Sequence, residues 1–254
     1  MCELDRFAKG QVSLVTGAGR GIGRSIALGL AESGMRVVLA SRNKEQLESV
    51  AREREDLADR FLVVPTDISS PESVTELARI ATERFGAIDV LVNNSGIIAT
   101  TPLIEQSYEE WDSVFSTNVR GTFLVTQAIG KLMISRTKGK IINIASNFGY
   151  KGVANHVAYC ASKAAIISMT KSLAVEWARH GIQVNAIAPG YFATDLTADV
   201  RTNDEAFKSI MKAVPARRMG NPNELVSWVQ LLSSPASDFM TGETIVIDGG
   251  QVAR

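Results

Sequence analysis

Short runs of apolar residues alternate along this chain with longer stretches in which apolar positions recur every three or four residues. The short runs fall at residues 12–16, 36–40, 61–64, 88–92, 141–144, 182–187 and 244–247. They are rich in Val, Ile and Leu and read as strands. The fourth, Ile88-Asp89-Val90-Leu91-Val92, is broken only by its Asp. Such near-continuous runs suit strands covered on both faces of a parallel sheet.

Between the runs the spacing predicts helices. Ile26, Ala27, Leu30 and Ala31 share one stripe, with Gly34 as a stop. Residues 43–59 are charged and helical around Leu47, Val50 and Leu57. Ser70-Pro71-Glu72 opens a helix carrying Val74, Leu77, Ile80 and Ala81. A long helix over residues 107–136 carries Trp111, Phe115, Asn118, Val125 and Ile129, and another runs from near Asn155 through Arg179. Residues 191–217 form an excursion with a helical part, and Asn221-Pro222-Asn223-Glu224 caps a helix over 225–232. Alternating strands and helices predict a doubly wound α/β fold: a seven-stranded parallel sheet in one Rossmann-type domain spanning residues 1–254. Crossovers in such sheets are right-handed, and ligands bind beyond the carboxyl ends of the strands.

The chemistry-bearing residues fall at those ends. After the first strand comes Gly17-Ala18-Gly19-Arg20-Gly21-Ile22-Gly23, then a helix. Glycines there let backbone approach a pyrophosphate, and the helix start offers N–H groups and the positive end of its dipole. The spacing is T-G-x-x-x-G-x-G, and a glycine turn without a ligand is the plainer alternative. Asn93-Asn94-Ser95-Gly96 ends the fourth strand, Ser146 follows the fifth, and Pro189-Gly190 follows the sixth. Tyr159 and Lys163 are four apart on a helix and so share one face. A phenol titrates near 10, and a neighbouring ammonium favours its phenolate. A Tyr lowered in this way could exchange a proton with an alcohol or ketone oxygen, with the Ser146 hydroxyl beside it. Taken alone, the pair also reads as a surface Lys and a half-buried Tyr.

Charge and composition narrow the classes. Lys+Arg and Asp+Glu number 27 each, so no basic field invites nucleic acid. Hydrophobic residues make up 45%, enough for a well-buried core. Cys2 and Cys160 lack metal-ligand spacing and point to a reducing compartment. With only His156 and His180, a His-rich metal site is excluded. The start MCELDRFAKG carries no apolar signal core, and no run is long enough to span a membrane, so the expectation is a cytoplasmic protein.

These residues together resemble the short-chain dehydrogenase/reductase family over residues 11–250. The family's glycine motif corresponds to Thr16, Gly17, Gly21 and Gly23. Its N-N-A-G motif corresponds to Asn93, Asn94, Ser95 and Gly96, with Ser95 where Ala is usual, a small change of little expected consequence. Its catalytic Asn, Ser, Tyr and Lys fall on Asn118, Ser146, Tyr159 and Lys163, and its P-G-x-x-x-T element on Pro189, Gly190 and Thr194. The resemblance implies Tyr159 as general acid in ketone reduction and base in alcohol oxidation. It implies that Lys163 lowers the Tyr159 pKa and holds the nicotinamide ribose, that Ser146 stabilises charge on the substrate oxygen, and that Asn118 supports a proton relay. Asn118 as a plain tie between helix and sheet is the alternative. Asp67 and Ile68 would flank the adenine, Asn93 would partly brace the sheet, and Pro189, Gly190 and Thr194 would hold the carboxamide.

NAD-specific relatives end the second strand with an acid that binds the ribose hydroxyls. Here Ser41 stands at that position, followed by Arg42, and Arg20 of the glycine turn reaches the same region. Two guanidinium groups and no carboxylate favour a 2′-phosphate, so the expected cofactor is NADP(H) over NAD(H). Residues 191–218 are expected to cover the substrate with Phe192, Leu196, Val200, Phe207, Ile210 and Met211, among Arg201, Lys208 and Lys212. Asn147, Phe148, Ile97 and Ile98 complete a mixed pocket. The runs IAPGYFATDLT and PARRMGNPNEL resemble gluconate 5-dehydrogenases and 3-oxoacyl-carrier-protein reductases. The positions that face a carrier protein in the second group hold Thr137 and His180, beside Arg136 and Arg179. The family implies a homo-oligomer, a tetramer, pairing the helices of residues 107–136 and 155–179, with Ala161, Ala164, Ala165, Ile166 and Met169 on the second. A catalytically inactive nucleotide-binding protein acting through partners is the rival reading, and the intact tetrad weighs against it.

Overall fold

A computed structural model of the chain describes residues 8–198, 202 and 204–253. Seven parallel strands form one sheet: β1 (Val12–Thr16), β2 (Arg36–Ser41), β3 (Phe61–Pro65), β4 (Val90–Asn93), β5 (Gly139–Ile144), β6 (Ile182–Pro189) and β7 (Thr244–Ile247). Their order is β3-β2-β1-β4-β5-β6-β7. The chain leaves β1 toward one edge and returns through β4 to build the other. The loops after β1 and β4 therefore diverge, and a crevice opens between them.

Eight helices cover the sheet: α1 (Gly21–Glu32), α2 (Lys44–Arg52), α3 (Pro71–Phe85), α4 (Tyr108–Phe115), α5 (Thr122–Ser135), α6 (Val157–Trp177), α7 (Asp204–Ala213) and α8 (Asn223–Ser233), counted among the described residues. Alternate strand residues face opposite layers. Val15, Val37, Leu39, Val92 and Ile142 pack with α1 and α8 through Ile26, Leu30, Leu225 and Val229. Leu14, Val38, Leu91, Ile141 and Val184 pack with α3, α5 and α6 through Leu77, Ile129, Met133 and Trp177. Both faces are dry, which is why the strand sequences show no polar alternation.

The structure departs from the periodicity in three places. The charged stretch of residues 43–59 is two pieces: α2 ends at Arg52, and one 3-10 segment follows at Glu55–Arg60. Arg54 sits at the break with non-helical backbone (φ −131°, ψ 69°), its guanidinium bonded to Asp56 and Glu32. The fourth strand begins at Val90, because Asp89 turns its carboxylate aside to accept from the Val12 amide at 3.0 Å and Arg136 at 2.8 Å. The long helix of residues 107–136 is α4 and α5 joined by one π-helical turn, Ser116–Gly121. Such turns often mark functional sites, and this one holds Asn118.

Candidate functional site

A cleft of about 430 Å³ runs along the carboxyl ends of the strands, lined at one end by the glycine turn and at the other by Ser146, Tyr159 and Lys163. Gly17 and Gly21 take positive φ of 64° and 53°, which turns the chain sharply into α1. Gly23 is required by proximity: a Cβ there would lie 2.2 Å from the Gly17 carbonyl oxygen and 2.4 Å from Asn94 Nδ2. The α1 N-terminus has no side-chain cap and no acid in its first turn. Its free N–H groups and dipole therefore face the cleft unsatisfied, which suits a phosphate.

The turn is locked to the β4 end. The Thr16 hydroxyl accepts from the Asn94 and Ser95 amides, each at 3.0 Å. Asn94 Nδ2 donates to the carbonyls of Thr16 at 2.9 Å and Gly17 at 3.2 Å. Asn93 lies below, donating to Thr126 Oγ1 and Asn143 Oδ1 at 2.9 Å each, so its side chain braces the sheet.

At the β2 end, Ser41 Oγ is buried without a hydrogen-bond partner. An unpartnered hydroxyl in a cleft wall offers a donor and an acceptor to a bound group. Arg20 and Arg42 line the same wall, are exposed, and make no side-chain hydrogen bond or ion pair among the described residues. Asp67 accepts from the Ser69 amide at 2.9 Å and hydroxyl at 2.6 Å, which holds its carboxyl below the ordinary range, helped by the charge of Arg42. Ile68 is buried against Gly121, where a Cβ would meet its Cδ1 at 2.6 Å. Pro189 closes β6, and Gly190 donates to the Ile247 carbonyl at 2.9 Å. Thr194 leans over the glycine turn, 3.4 Å from where a Gly21 Cβ would be. The orphaned hydroxyl, the bare helix start and the close-packed glycines fit a phosphorylated dinucleotide.

At the β5 end, the Ser146 hydroxyl accepts from the Phe148 amide at 3.2 Å and hydrogen-bonds Tyr159. Tyr159 is half-buried at the cleft wall, yet the protein around its hydroxyl pushes it up to about 12, against the pull of the Ser146 hydrogen bond. Burial likewise pushes Lys163 down to about 8. The expected lowering of Tyr159 by Lys163 is absent here for a geometric reason. The ammonium donates to the Ile144 carbonyl at 2.8 Å and sits 5.7 Å from the Tyr159 ring centre. The chain alone thus stores a neutral phenol beside a cation whose charge is easily lost. Asn118 Oδ1 accepts from the Ile97 amide at 2.8 Å, and its Nδ2 donates to the Ile97 carbonyl at 2.9 Å and Ser162 Oγ at 3.0 Å. Both Nδ2 hydrogens are thus engaged, one on the loop after β4 and one on α6, and one lone pair of Oδ1 stays open.

The cleft brings together Gly17, Arg20, Gly21, Ile22, Ser41, Arg42, Asp67, Ile68, Asn94, Ser146, Tyr159, Lys163, Pro189, Gly190 and Thr194. Gly23 and Asn118 support it from behind. Gln46 also lines it, a residue that sequence reasoning missed. Its place in the first turn of α2, just past the β2 end, is the signal that could have found it. Two pocket expectations need correction. Asn147 is buried and points away, donating to Gln251 Oε1 at 2.7 Å and Asp248 Oδ2 at 3.2 Å. Phe148 is likewise buried and does not line the cleft, whereas Phe192 lines it as expected and packs against Gly220. Val200 and Arg201 lie outside the described residues, as do Cys2 and the side chain of Leu196. The Cys160 thiol is unpaired.

Comparison with known proteins agrees with this geometry. The family described as enoyl-(acyl carrier protein) reductase matches residues 17–251. The chain belongs to the short-chain dehydrogenase/reductase family. Within the family it is 40% identical over 249 residues to a 2-dehydro-3-deoxy-D-gluconate 5-dehydrogenase of Dickeya dadantii, covering 97% of each chain. It is 39% identical over 243 residues to a 3-oxoacyl-(acyl-carrier-protein) reductase of Vibrio cholerae, covering 95% of this chain and 97% of the other. The crystal structure of a gluconate 5-dehydrogenase from Burkholderia cenocepacia, in complex with NADP and tartrate, superposes with a TM-score of 0.94 at 38% identity, covering both chains fully.

Proposed function

We propose that this chain transfers a hydride between NADP(H) and a ketone or secondary alcohol, with Tyr159 as general acid in reduction and general base in oxidation. The observation that carries the reading is the convergence of Ser146, Tyr159 and Lys163 at the far end of a cleft that begins at the glycine turn. The bound nicotinamide supplies or takes up the hydride. Burial keeps the Tyr159 phenol protonated, so it enters reduction able to donate to the ketone oxygen. The Ser146 hydroxyl donates to the same oxygen as negative charge develops there. Lys163 would hold the nicotinamide ribose hydroxyls with the charge that it carries below about pH 8. Asn118 acts by position, holding the Ile97 loop and Ser162 in place. Gly17, Arg20, Gly21, Ile22 and Gly23 would hold the pyrophosphate, Ser41 and Arg42 a 2′-phosphate, Asp67 and Ile68 the adenine, and Pro189, Gly190 and Thr194 the carboxamide. Asn94 keeps the turn in register.

The candidate substrates are a keto sugar acid such as 5-ketogluconate and a 3-oxoacyl thioester. Relatives of both kinds support them at similar identity. Docking of an acyl carrier protein has little support, since Arg136 is engaged by Asp89 and the Ile88 carbonyl. NADPH-dependent reduction of 5-ketogluconate, acetoacetyl thioesters and small cyclic diketones tests the reading. A sample that binds NADPH and reduces none of them would instead be a nucleotide-binding protein acting through partners.

Cofactor preference has its own test. Each charge-assisted contact to a 2′-phosphate contributes on the order of 1.5–3 kcal/mol, so kcat/KM is expected to favour NADPH over NADH by about tenfold or more. Ser41→Asp combined with Arg42→Ala is expected to reverse the preference, because the new carboxylate repels the phosphate and binds ribose hydroxyls. A wild-type preference for NADH sinks the assignment of Ser41 and Arg42.

The outer surface of α4 to α6 supports a homotetramer. Ile166 belongs to the core, but Ala164 is exposed, and Phe123, Val157 and Val175 are 45%, 41% and 84% exposed. Apolar surface of this kind asks for a partner helix pair. Light scattering at micromolar concentration is expected to give a multiple of the 27.4 kDa chain mass; a monomer refutes the assembly.

A further inference from the structure

A turn after the last strand reaches the Ser146 corner through a side chain that faces away from the cleft. Asn147 follows Ser146 and is 1% exposed. Its Nδ2 donates to Gln251 Oε1 at 2.7 Å and to Asp248 Oδ2 at 3.2 Å. A carboxylate accepts and does not donate, so the NH₂ end of this amide is the one that faces Asp248. Asp248 is itself committed to the turn. Its Oδ1 accepts from the Gly250 and Gln251 amides at 2.9 and 3.0 Å, and its Oδ2 from the Val252 amide at 2.8 Å. With Gly249 and Gly250 at φ of 65° and 87°, these bonds close residues 248–252 into a compact unit. The same unit meets the cofactor end of the cleft, where a Cβ on Gly190 would lie 2.6 Å from Asp248 Cβ. It also holds the end of the excursion, since the Ala216 amide donates to the Gly249 carbonyl at 3.0 Å.

Resting on the reductase reading above, we propose that Asn147 and Gln251 are positioning residues for the Ser146 hydroxyl. Ser146 caps the short 3-10 turn Asn147–Gly149. Its hydroxyl accepts from the Phe148 amide at 3.2 Å, and its carbonyl accepts from the Gly149 amide at 3.0 Å. The hydroxyl therefore follows the backbone of that turn. The turn rests on α6, where a Cβ on Gly149 would lie 3.0 Å from the Lys163 carbonyl oxygen. Asn147 ties it to the unit of residues 248–252. Ser146 Oγ hydrogen-bonds Tyr159, and a donor to a developing oxyanion acts only when it is placed in advance. Removing the Gln251 acceptor leaves a buried N–H of Asn147 unpaired. The amide then has to turn, and the Ser146 backbone turns with it. Among the described residues, Gln251 makes no other side-chain hydrogen bond. Its loss therefore leaves Asp248 and the Gly190 contact in place.

The test compares wild type, Gln251→Met, Ser146→Ala and the double variant, each with NADPH. The probe is the ketone that wild type reduces fastest among 5-ketogluconate, an acetoacetyl thioester and a small cyclic diketone. Gln251→Met keeps the length of the side chain and removes its acceptor, and Gln251→Ala makes the same cut with less bulk. A misplacement of about 1 Å can cost about a hundredfold, and the smaller shift here is expected to lower kcat about tenfold. KM for the ketone and the Kd for NADPH by fluorescence titration are expected to stay within about twofold. On the Ser146→Ala background, read by single-turnover NADPH absorbance, adding Gln251→Met is expected to change the rate by less than about twofold. A residue that acts through Ser146 has nothing left to place there. A Gln251→Met kcat equal to wild type, a loss matched in the NADPH Kd, or a full loss that persists on Ser146→Ala overturns the positioning role and leaves the reductase reading standing. So does loss of the fold in both Gln251 variants by circular dichroism, which assigns the residue to the core. A wild-type enzyme that reduces none of the three ketones overturns the reductase reading instead, and the positioning role with it.

Discussion

Tyr159→Phe is expected to abolish ketone reduction while leaving NADPH binding nearly intact. The change removes one oxygen and keeps the ring, whose edge-on contact with Phe148 at 6.0 Å does not involve the hydroxyl. What disappears is the proton donor, and loss of one acid–base group costs roughly 10²- to 10⁴-fold. The wild-type pH profile carries a companion signature. Lys163 gives up its charge near pH 8 in the folded chain. Above that pH the ammonium proposed to hold the nicotinamide ribose is neutral, so kcat/KM for reduction is expected to fall as pH rises through about 8. Tyr159 itself stays protonated over that range, since its own loss lies near 12. Steady-state rates with NADPH fluorescence titration decide the point. A Tyr159→Phe enzyme within a few-fold of wild type removes Tyr159 from the chemistry, and a flat profile through pH 8 removes Lys163.

Gly23→Ala is expected to weaken NADPH binding by about a hundredfold. Helix propensity alone argues the other way, since Gly→Ala in a helix interior gains up to about 1 kcal/mol. Contact distance decides against it. The new methyl would lie 2.2 Å from the Gly17 carbonyl oxygen and 2.4 Å from Asn94 Nδ2, and neither is the loose end of a flexible side chain. Forcing atoms into a packed site costs roughly 1–3 kcal/mol. Here the displaced groups are the glycine turn and the Asn94 link that holds it to β4, so the upper value applies, equivalent to about a hundredfold in Kd. Isothermal titration of NADPH with circular dichroism separates the two effects. A variant that binds as wild type shows that the turn can move at no cost. A variant that fails to fold assigns Gly23 to the core.

The apolar pattern was enough to place every strand to within about two residues. An element must bury a continuous stripe, and that stripe is written locally. The glycine turn, Ser146, Tyr159 and Lys163 were legible for the same reason: each lies where a strand run stops or a helix starts. Pairing with distant chain was not written locally. Nothing in residues 107–136 announces the π turn, which arises where Asn118 must reach the Ile97 backbone and Ser162 on another helix. Asn147 looked like a pocket residue because it follows Ser146, but Asp248 and Gln251, a hundred positions away, claim its amide. The Ile144 carbonyl draws the Lys163 ammonium, so a Tyr–Lys spacing that predicts a lowered phenol yields one raised by burial. The sequence by itself determined the α/β alternation, the strand ends that carry chemistry and the missing acid after β2. The packed fold settled how those ends face one another and which polar groups are already satisfied. Contact between residues far apart in sequence depends on the packing of the whole sheet, which no local window contains.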